Sequence, residues 1–169
     1  MSVENNELRI LLDKHACQEV LTRYCRAMDW LDVEALREVF AADAEVDYGF
    51  FRSRGNECIA ILMDVEKSFL RRWHLIANAI VQVSGDTAEG ESYGLAAGVS
   101  SRDGHEVTDV FGGRYLDCFA RRAGKWQITK RLYVLDWQRS FTDDGAAEPL
   151  PGITWSSGFN PDHPLYRKL

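Results

Sequence analysis

The sequence predicts an α+β domain in which helices from the first half cover one face of a sheet built from the second half. Before position 70 apolar residues recur at helical spacing, and after Arg71-Arg72 the period changes to two. Glycine-containing turns near positions 85, 104 and 124 divide the second half into strands. These observations favour three N-terminal helices packed on a curved, mainly antiparallel sheet.

The predicted helices each carry one apolar side. The first spans about Asp13 to Met28, and its stripe at helical spacing is Cys17, Val20, Leu21, Tyr24, Cys25 and Met28. Asp32 is expected to cap a second helix. The buried side of that helix would hold Leu36, Val39 and Phe40. A third helix opens at Gly55-Asn56, and its inward residues would be Ile59, Leu62, Met63 and Val65.

The predicted strands form a short segment and a four-stranded meander. The short segment is Ala44 to Tyr48. The meander consists of Trp73–Val83, Thr87–Val99, Val107–Arg122 and Lys125–Arg139. Gly112-Gly113 indicates a bulge in the third of these strands. Strict alternation in the first would place His74 on one face with Ile76, Asn78, Ile80 and Gln82.

Composition limits the class of protein. We predict one domain over residues 1–141, and an irregular tail over 142–169 that packs on the domain or on a neighbouring subunit. The formal charge of −6 argues against nucleic-acid binding, which needs a basic surface. No signal-peptide pattern or 18-residue apolar run is present, so no membrane partner is expected. Four cysteines without a CxxC pair favour free thiols in the cytoplasm.

His74 and Asp29 are the first candidates for chemistry. His74 lies on a strand face with apolar neighbours, where a buried imidazole acts as a base only if a second group fixes its tautomer. Asp29 ends an apolar helical stripe, and a carboxylate there is costly to bury unless it is paired. A hydrogen-bonded core histidine and a solvated or helix-capping aspartate are the alternative readings.

Three further residues could enter the same pocket. Tyr24 lies on the buried stripe, although a regular helix separates it from Asp29 by about 140°. Arg131 shares a strand face with apolar residues and needs an acceptor, either a carboxylate or a ligand oxygen. Tyr48 can present its hydroxyl as a donor. The scattered histidines and cysteines predict no metal site.

Five segments resemble the SnoaL-like branch of the nuclear-transport-factor-2-like superfamily, over about residues 10–140. They are Tyr24–Asp29, Phe40–Tyr48, Trp73–Asn78, Gly112–Asp117 and Gly124–Arg131. The resemblance implies a cone-like α+β barrel. Within this branch the chain looks most like the cofactor-independent lyases, namely bile-acid 7α-dehydratase, scytalone dehydratase and hexachlorocyclohexane dehydrochlorinase. The resemblance also implies a homo-oligomer, either a trimer or a dimer.

The lyase resemblance implies roles for individual residues. Asp29 and His74 match the dyad in which a histidine removes a proton, and Tyr24 and Arg131 match donors to the leaving group or enolate. The residues expected to bind substrate are Tyr48, Val46, Asn78, Tyr133 and Leu135. Val46 stands where the dehydrochlorinase has tryptophan, and Tyr24 where it has lysine, so dehydrochlorination is disfavoured.

The sequence therefore predicts a dehydratase-like lyase that needs no cofactor and acts on a hydrophobic steroid, polyketide or aromatic compound. Two alternatives stay open. A ketosteroid-isomerase-like enzyme would use a carboxylate, such as Asp29, as its base. A non-catalytic domain would bind a small molecule and release it unaltered. Fold alone does not decide among them.

Overall fold

A computed structural model describes residues 3–142, 151–154 and 162–165. Its helices are α1 (Val3–Trp30), α2 (Val33–Val39) and α3 (Asn56–Lys67). The strands are β1 (Phe40–Asp47), β2 (Arg52–Arg54), β3 (Arg71–Ser84), β4 (Thr87–Arg102), β5 (His105–Arg122) and β6 (Lys125–Thr142). The α+β class with three helices is confirmed.

The strands form one open, mixed sheet in the order β2-β1-β6-β5-β4-β3. Strands β3 to β6 are the predicted antiparallel meander. The β1 strand pairs parallel to β6 and antiparallel to β2. Strands β2 and β3 remain as edges, so the expected barrel is curved but not closed.

The apolar stripe of α1 forms the centre of the core. Cys17, Tyr24 and Met28 from this stripe are at most 2% exposed, and they pack with Leu36 of α2 and Phe119 of β5. Burial of such side chains stabilises the fold by about 1.5–3 kcal/mol each. Helix α1 begins ten residues before the predicted start, and this extra length carries exposed apolar side chains, among them Leu8 and Leu11.

The cap of α2 agrees with the prediction, but the end of α2, where β1 begins, differs by one residue. Asp32 caps α2 as predicted, since its Oδ1 accepts from the backbone N–H of Ala35 at 3.0 Å. Phe40, predicted on α2, instead begins β1, where its extended backbone pairs with Ile128. The short β2 strand was not predicted, because three polar residues show no alternation of their own.

A bulge in β3 corrects the predicted alternation. Two residues, Asn78 and Ala79, stand opposite one residue of β4, and Asn78 has φ +47°. The phase of the strand therefore reverses after Ala77. Ile80, predicted on the face of His74, is 67% exposed on the opposite face, while Val81 is buried.

The described end of the chain packs on α1. The Nη2 of Arg26 donates to the carbonyl of Leu165 at 3.2 Å, and the ring of His163 lies edge-on to Trp30 at 5.2 Å. His163 and Leu165 of the predicted tail thus contact their own domain, and most of the other tail residues lie outside the described part. In the described residues no helix is both long and apolar enough to cross a membrane.

Candidate functional site

A cavity of about 140 Å³ lies between the helices and the inner face of the sheet. Its walls are mostly apolar, and Met28 of α1, Leu62 of α3 and Phe111 of β5 line it. The polar side chains that line it are His74, Glu66, Tyr24, Tyr48, Tyr115 and Tyr133. Such an apolar pocket with a few convergent polar groups is the usual form of a small-molecule site.

His74 and Asp29 meet at the edge of this cavity. The Nδ1 of His74 lies 2.7 Å from Oδ1 of Asp29, and the backbone N–H of His74 donates to Oδ2 at 3.2 Å. Because a carboxylate only accepts hydrogen bonds, Nδ1 carries the proton. In the neutral imidazole the other ring nitrogen, Nε2, is an acceptor, and His74 lines the cavity.

The end of α1 fixes the position of Asp29. The N–H of Asp32 donates to the carbonyl of Ala27 at 2.9 Å, and that of Leu31 donates to Met28 at 3.2 Å. This is the Schellman arrangement, and it requires Leu31 to adopt φ +58°, which favours glycine. Asp29 thus lies in the last helical turn, where the negative end of the helix dipole favours a cation such as an imidazolium nearby.

Helix α1 stays regular between Tyr24 and Asp29, so the two side chains do not enter the cavity together. His74 connects them instead. Its ring lies edge-on to Tyr24 with centroids 6.3 Å apart, and its Nδ1 reaches back to Asp29. Asp29 is therefore placed behind the imidazole.

Glu66 is a polar wall residue that the sequence analysis missed. Its side chain is 9% exposed, and its Oε1 lies 3.6 Å from Nε2 of His74. Burial raises the pKa of Glu66, while the nearby His74 and Arg72 lower it by less. The signal was present, since Ile59, Leu62, Met63 and Glu66 fall on one face of α3 at the spacing of a buried stripe.

Four of the residues that line the cavity are tyrosines, Tyr24, Tyr48, Tyr115 and Tyr133, and we call them the tyrosine wall. The hydroxyls of Tyr24 and Tyr48 are 2.6 Å apart, and the rings of Tyr48 and Tyr133 stack at 5.4 Å. Burial is the main cause that raises the pKa of Tyr24, Tyr48 and Tyr115, and it raises that of Tyr133 to about 12. These hydroxyls therefore stay protonated at neutral pH and can donate hydrogen bonds.

Arg131 finds its acceptor in Asp117, the carboxylate alternative of the sequence analysis. Its Nε and Nη2 donate to the two carboxylate oxygens at 2.7 and 2.8 Å, and both side chains are at most 1% exposed. The guanidinium lies 4.2 Å from the ring centroid of Tyr24 and 4.3 Å from that of Tyr115. It supports the tyrosine wall from behind and is not among the residues that line the cavity.

The remaining predicted residues divide in two groups. Tyr48 and Tyr133 line the cavity, whereas Val46, Asn78 and Leu135 do not. Val46 is buried in the core, Leu135 is 48% exposed, and Asn78 is exposed because the bulge in β3 displaces it from the inner face.

Neither thiol nor metal chemistry is indicated by these residues. All four cysteines are free, and burial raises the pKa of Cys17 and Cys25 to about 12, which disfavours the reactive thiolate. Within the described ranges, no group of three His, Cys, Asp or Glu side chains could hold a metal ion.

Solved structures share this fold along most of the chain. Hexachlorocyclohexane dehydrochlorinase (LinA) type 2 superposes with a TM-score of 0.74 at 20% identity, covering 87% of this chain and 99% of its own. A scytalone-dehydratase-like protein from Novosphingobium aromaticivorans gives 0.68 at 18% identity, over 94% of this chain and 97% of its own.

An NTF2-like protein with a cystatin-like fold, from the same organism, gives a TM-score of 0.65 at 27% identity, with 86% and 93% covered. Among curated protein sequences none matches this chain. Residues 9–132 match the family described as SnoaL-like domain, which is most of the chain. The protein therefore belongs to the SnoaL-like domain family.

Proposed function

We propose that the protein is a cofactor-independent lyase of the dehydratase type, in which His74 is the base and Asp29 its partner. The observation that carries this proposal is the 2.7 Å contact between Nδ1 of His74 and Asp29, beside a mostly apolar cavity. The similarity to a dehydrochlorinase and to a scytalone-dehydratase-like protein supports an elimination reaction.

In this mechanism Nε2 of His74 removes a proton from a carbon next to a carbonyl group. Asp29 stabilises the imidazolium that forms, and the C-terminal end of α1 adds to this. The low-dielectric surroundings strengthen both interactions. As the proton leaves, electrons move toward the carbonyl oxygen, and the leaving group departs from the next carbon.

The tyrosine wall would bind the oxygen on which charge develops. One of the two hydroxyls of Tyr24 and Tyr48 donates to the other, so one O–H remains to donate to a substrate oxygen. Donors aimed at a developing oxyanion are worth about 2.7–4 kcal/mol each. Arg131 acts as a positioning residue that holds the ring of Tyr24 from beneath.

The cavity favours a substrate with one ring at the reacting position. Its volume of about 140 Å³ is close to the roughly 150 Å³ that holds one benzene molecule. A steroid or polyketide would place only its reacting ring inside. We therefore propose a hydrophobic β-hydroxy carbonyl compound, cyclic or aromatic, as the substrate class.

The test is dehydration of 3-hydroxycyclohexanone to 2-cyclohexenone, followed by absorbance and by the mass of the product. The wild type is expected to catalyse the reaction, and His74→Ala and Asp29→Asn to lower kcat/KM by at least about 10²-fold each. His15→Ala, which removes an exposed histidine from α1, is the matched control and should leave the rate unchanged.

The same variants separate the alternatives. If Asp29→Asn loses far more activity than His74→Ala, and 3-cyclohexenone is isomerised, the protein is an isomerase with a carboxylate base. If both variants bind cyclohexenone as the wild type does and no conversion occurs, the protein is a binding domain. Full activity in His74→Ala would reject the dyad.

We further propose that the protein is a homo-oligomer that buries the outer face of the sheet. Cross-strand neighbours on this face are Ile80, Glu91, Leu116 and Leu132, and three of them are apolar and 67%, 39% and 37% exposed. Apolar patches of this kind mark association surfaces. Sedimentation should give a dimer or trimer, which Leu116→Glu with Leu132→Glu dissociates. The cytoplasmic location and the lack of a cofactor stay predictions.

A further inference from the structure

We propose that Glu66 is a second catalytic residue, the acid that protonates the leaving hydroxyl group in the elimination. This inference rests on the proposed function, because it assigns the step that the base His74 leaves undone. Hydroxide is a poor leaving group, so an enzyme that eliminates water needs a proton donor at the departing oxygen.

The position of Glu66 suits this role. It belongs to α3 and lines the cavity, and its Oε1 is 3.6 Å from Nε2 of His74. That separation exceeds ordinary hydrogen-bond distance, so the lone pair of Nε2 stays available for a substrate proton. A base and an acid this close together reach the same face of the reacting bond, which predicts a syn elimination.

Burial favours the protonated form of Glu66 and outweighs the opposite effect of its two basic neighbours. Its side chain is 9% exposed, and the charged or titratable groups that face it are His74 and Arg72 from β3 and Asp29 from α1. The guanidinium of Arg72 donates mainly to backbone carbonyls, those of Glu66 at 3.0 Å and Phe69 at 2.6 Å, and its Nε is 4.0 Å from the Glu66 carboxylate. Both of these basic groups, His74 and Arg72, are at the outer limit of an ion-pair contact, so burial dominates and the pKa of the Glu66 carboxyl group is raised.

The proton balance closes without an external reagent. His74 Nε2 takes the proton from the carbon, the C–O bond breaks, and the Glu66 O–H proton goes to the departing oxygen, which leaves as water. The products are the unsaturated carbonyl compound, an imidazolium and a Glu66 carboxylate. The released water can bridge the 3.6 Å gap, so the imidazolium N–H returns its proton to Glu66 through that water, which restores the starting state.

The experiment compares two leaving groups on one ring. Glu66→Gln keeps the size and hydrogen bonding of the side chain but removes the acidic proton. It is expected to lower kcat on 3-hydroxycyclohexanone by about 10²-fold. On 3-acetoxycyclohexanone, whose acetate leaves without protonation, it should stay within about threefold of the wild type. Asp64→Asn, which removes an exposed carboxylate from the same helix, is the matched control on both compounds.

The outcomes separate this inference from the proposed function. If the wild type converts neither compound, the lyase proposal fails. If the wild type converts both and Glu66→Gln retains its rate on the alcohol, Glu66 is not the acid. An equal loss on both compounds also overturns the inference, because it indicates a distorted pocket.

A measurement without turnover covers the case in which Glu66→Gln folds poorly. At about pH 5.5, above the ordinary pKa of a glutamate, the wild type and Asp64→Asn should show the infrared carbonyl band of a protonated carboxyl group. Carbon-13 labelling of glutamate shifts that band if Glu66 carries the proton. Lack of a labelled, protonated carboxyl band at about pH 5.5 would overturn the inference independently of any substrate.

Discussion

Two pairs of basic and acidic side chains in this molecule have different surroundings. Arg131 and Asp117 join two neighbouring strands, with side chains 0% and 1% exposed. His74 and Asp29 join a strand to the end of α1, with side chains 9% and 28% exposed, and His74 borders the cavity. Each pair includes a contact of 2.7 Å between nitrogen and oxygen.

The difference between the pairs lies in what the cation can do. A guanidinium stays charged at every working pH, and the Arg131 group uses Nε and Nη2 on one carboxylate while aromatic rings flank it. An imidazole gains and loses a proton near neutral pH, and His74 has one nitrogen left over beside the cavity. A close contact between a basic and an acidic side chain therefore does not by itself indicate catalysis, and our proposal for His74 rests on its titratable ring and on its position beside the cavity.

The largest expected effect comes from removing one partner of the fully buried pair, Arg131 and Asp117. Arg131→Met leaves the Asp117 carboxylate buried without its partner, which costs about 3–5 kcal/mol of the free energy of unfolding. Urea denaturation measures this loss. The double variant Arg131→Met with Asp117→Leu removes both charges and should recover most of it. If the double variant is as unstable as the single one, the loss is due to packing rather than to the unpaired charge.

The partner of Arg131 could not be read from the sequence. The turn at Ala123-Gly124 sets a hairpin register that pairs Phe119 with Ile128. Continued without interruption, this register would place Asp117 opposite Lys130. The register shifts between Cys118 and Phe119, where β6 has one extra residue, Thr129, so Asp117 stands opposite Arg131. This shift of one residue places Asp117 opposite Arg131 instead of Lys130, and no residue of the turn predicts it.

The sequence predicted most of the fold and four of the six polar side chains that line the cavity, namely Tyr24, Tyr48, His74 and Tyr133. Helical spacing correctly placed Tyr24 on the buried side of α1, and Asp32 was correctly predicted as a cap. Alternation correctly placed His74 on the inner face, because the predicted phase of β3 holds up to Ala77. Contacts between distant segments were not predictable in this way. The parallel pairing of β1 with β6 is one of these, and the bulge at Asn78 is another. Helical spacing places Glu66 on the buried face of α3, but a charged side chain is usually expected at the surface.

Ionisation of the tyrosine wall gives a second, intermediate effect. The pKa of Tyr133 is raised to about 12 in the folded state, mainly by burial. Between pH 10 and this value the unfolded chain releases the proton while the folded chain keeps it, so stability is full below pH 10 and falls as pH rises. Tyr133→Phe should flatten the decline by up to about 1.4 kcal/mol per pH unit. Urea denaturation across this range measures the slope, and an unchanged slope would mean that Tyr133 titrates normally.

The smallest expected effect concerns Glu66, which lies beside the pair formed by His74 and Asp29. Burial raises the pKa of Glu66 in the folded state, so its contribution to stability is present below the pKa of the unfolded chain and is lost as pH rises through the folded value. Glu66→Gln has no such loss. Its free energy of unfolding should therefore gain on the wild type between pH 4 and pH 7, by an amount on the order of 1 kcal/mol.

Urea denaturation at the two pH values measures this gain, with Asp64→Asn as the exposed control that should show none. A variant that is more stable at pH 7 yet slower on the alcohol would indicate that the cavity keeps a costly carboxyl group for its chemistry. If Glu66→Gln instead loses stability as pH rises, the carboxylate of Glu66 is stabilised in the folded protein by His74 and Arg72. Glu66, His74 and Arg72 would then form an ionic cluster that stabilises the fold, as Arg131 and Asp117 do.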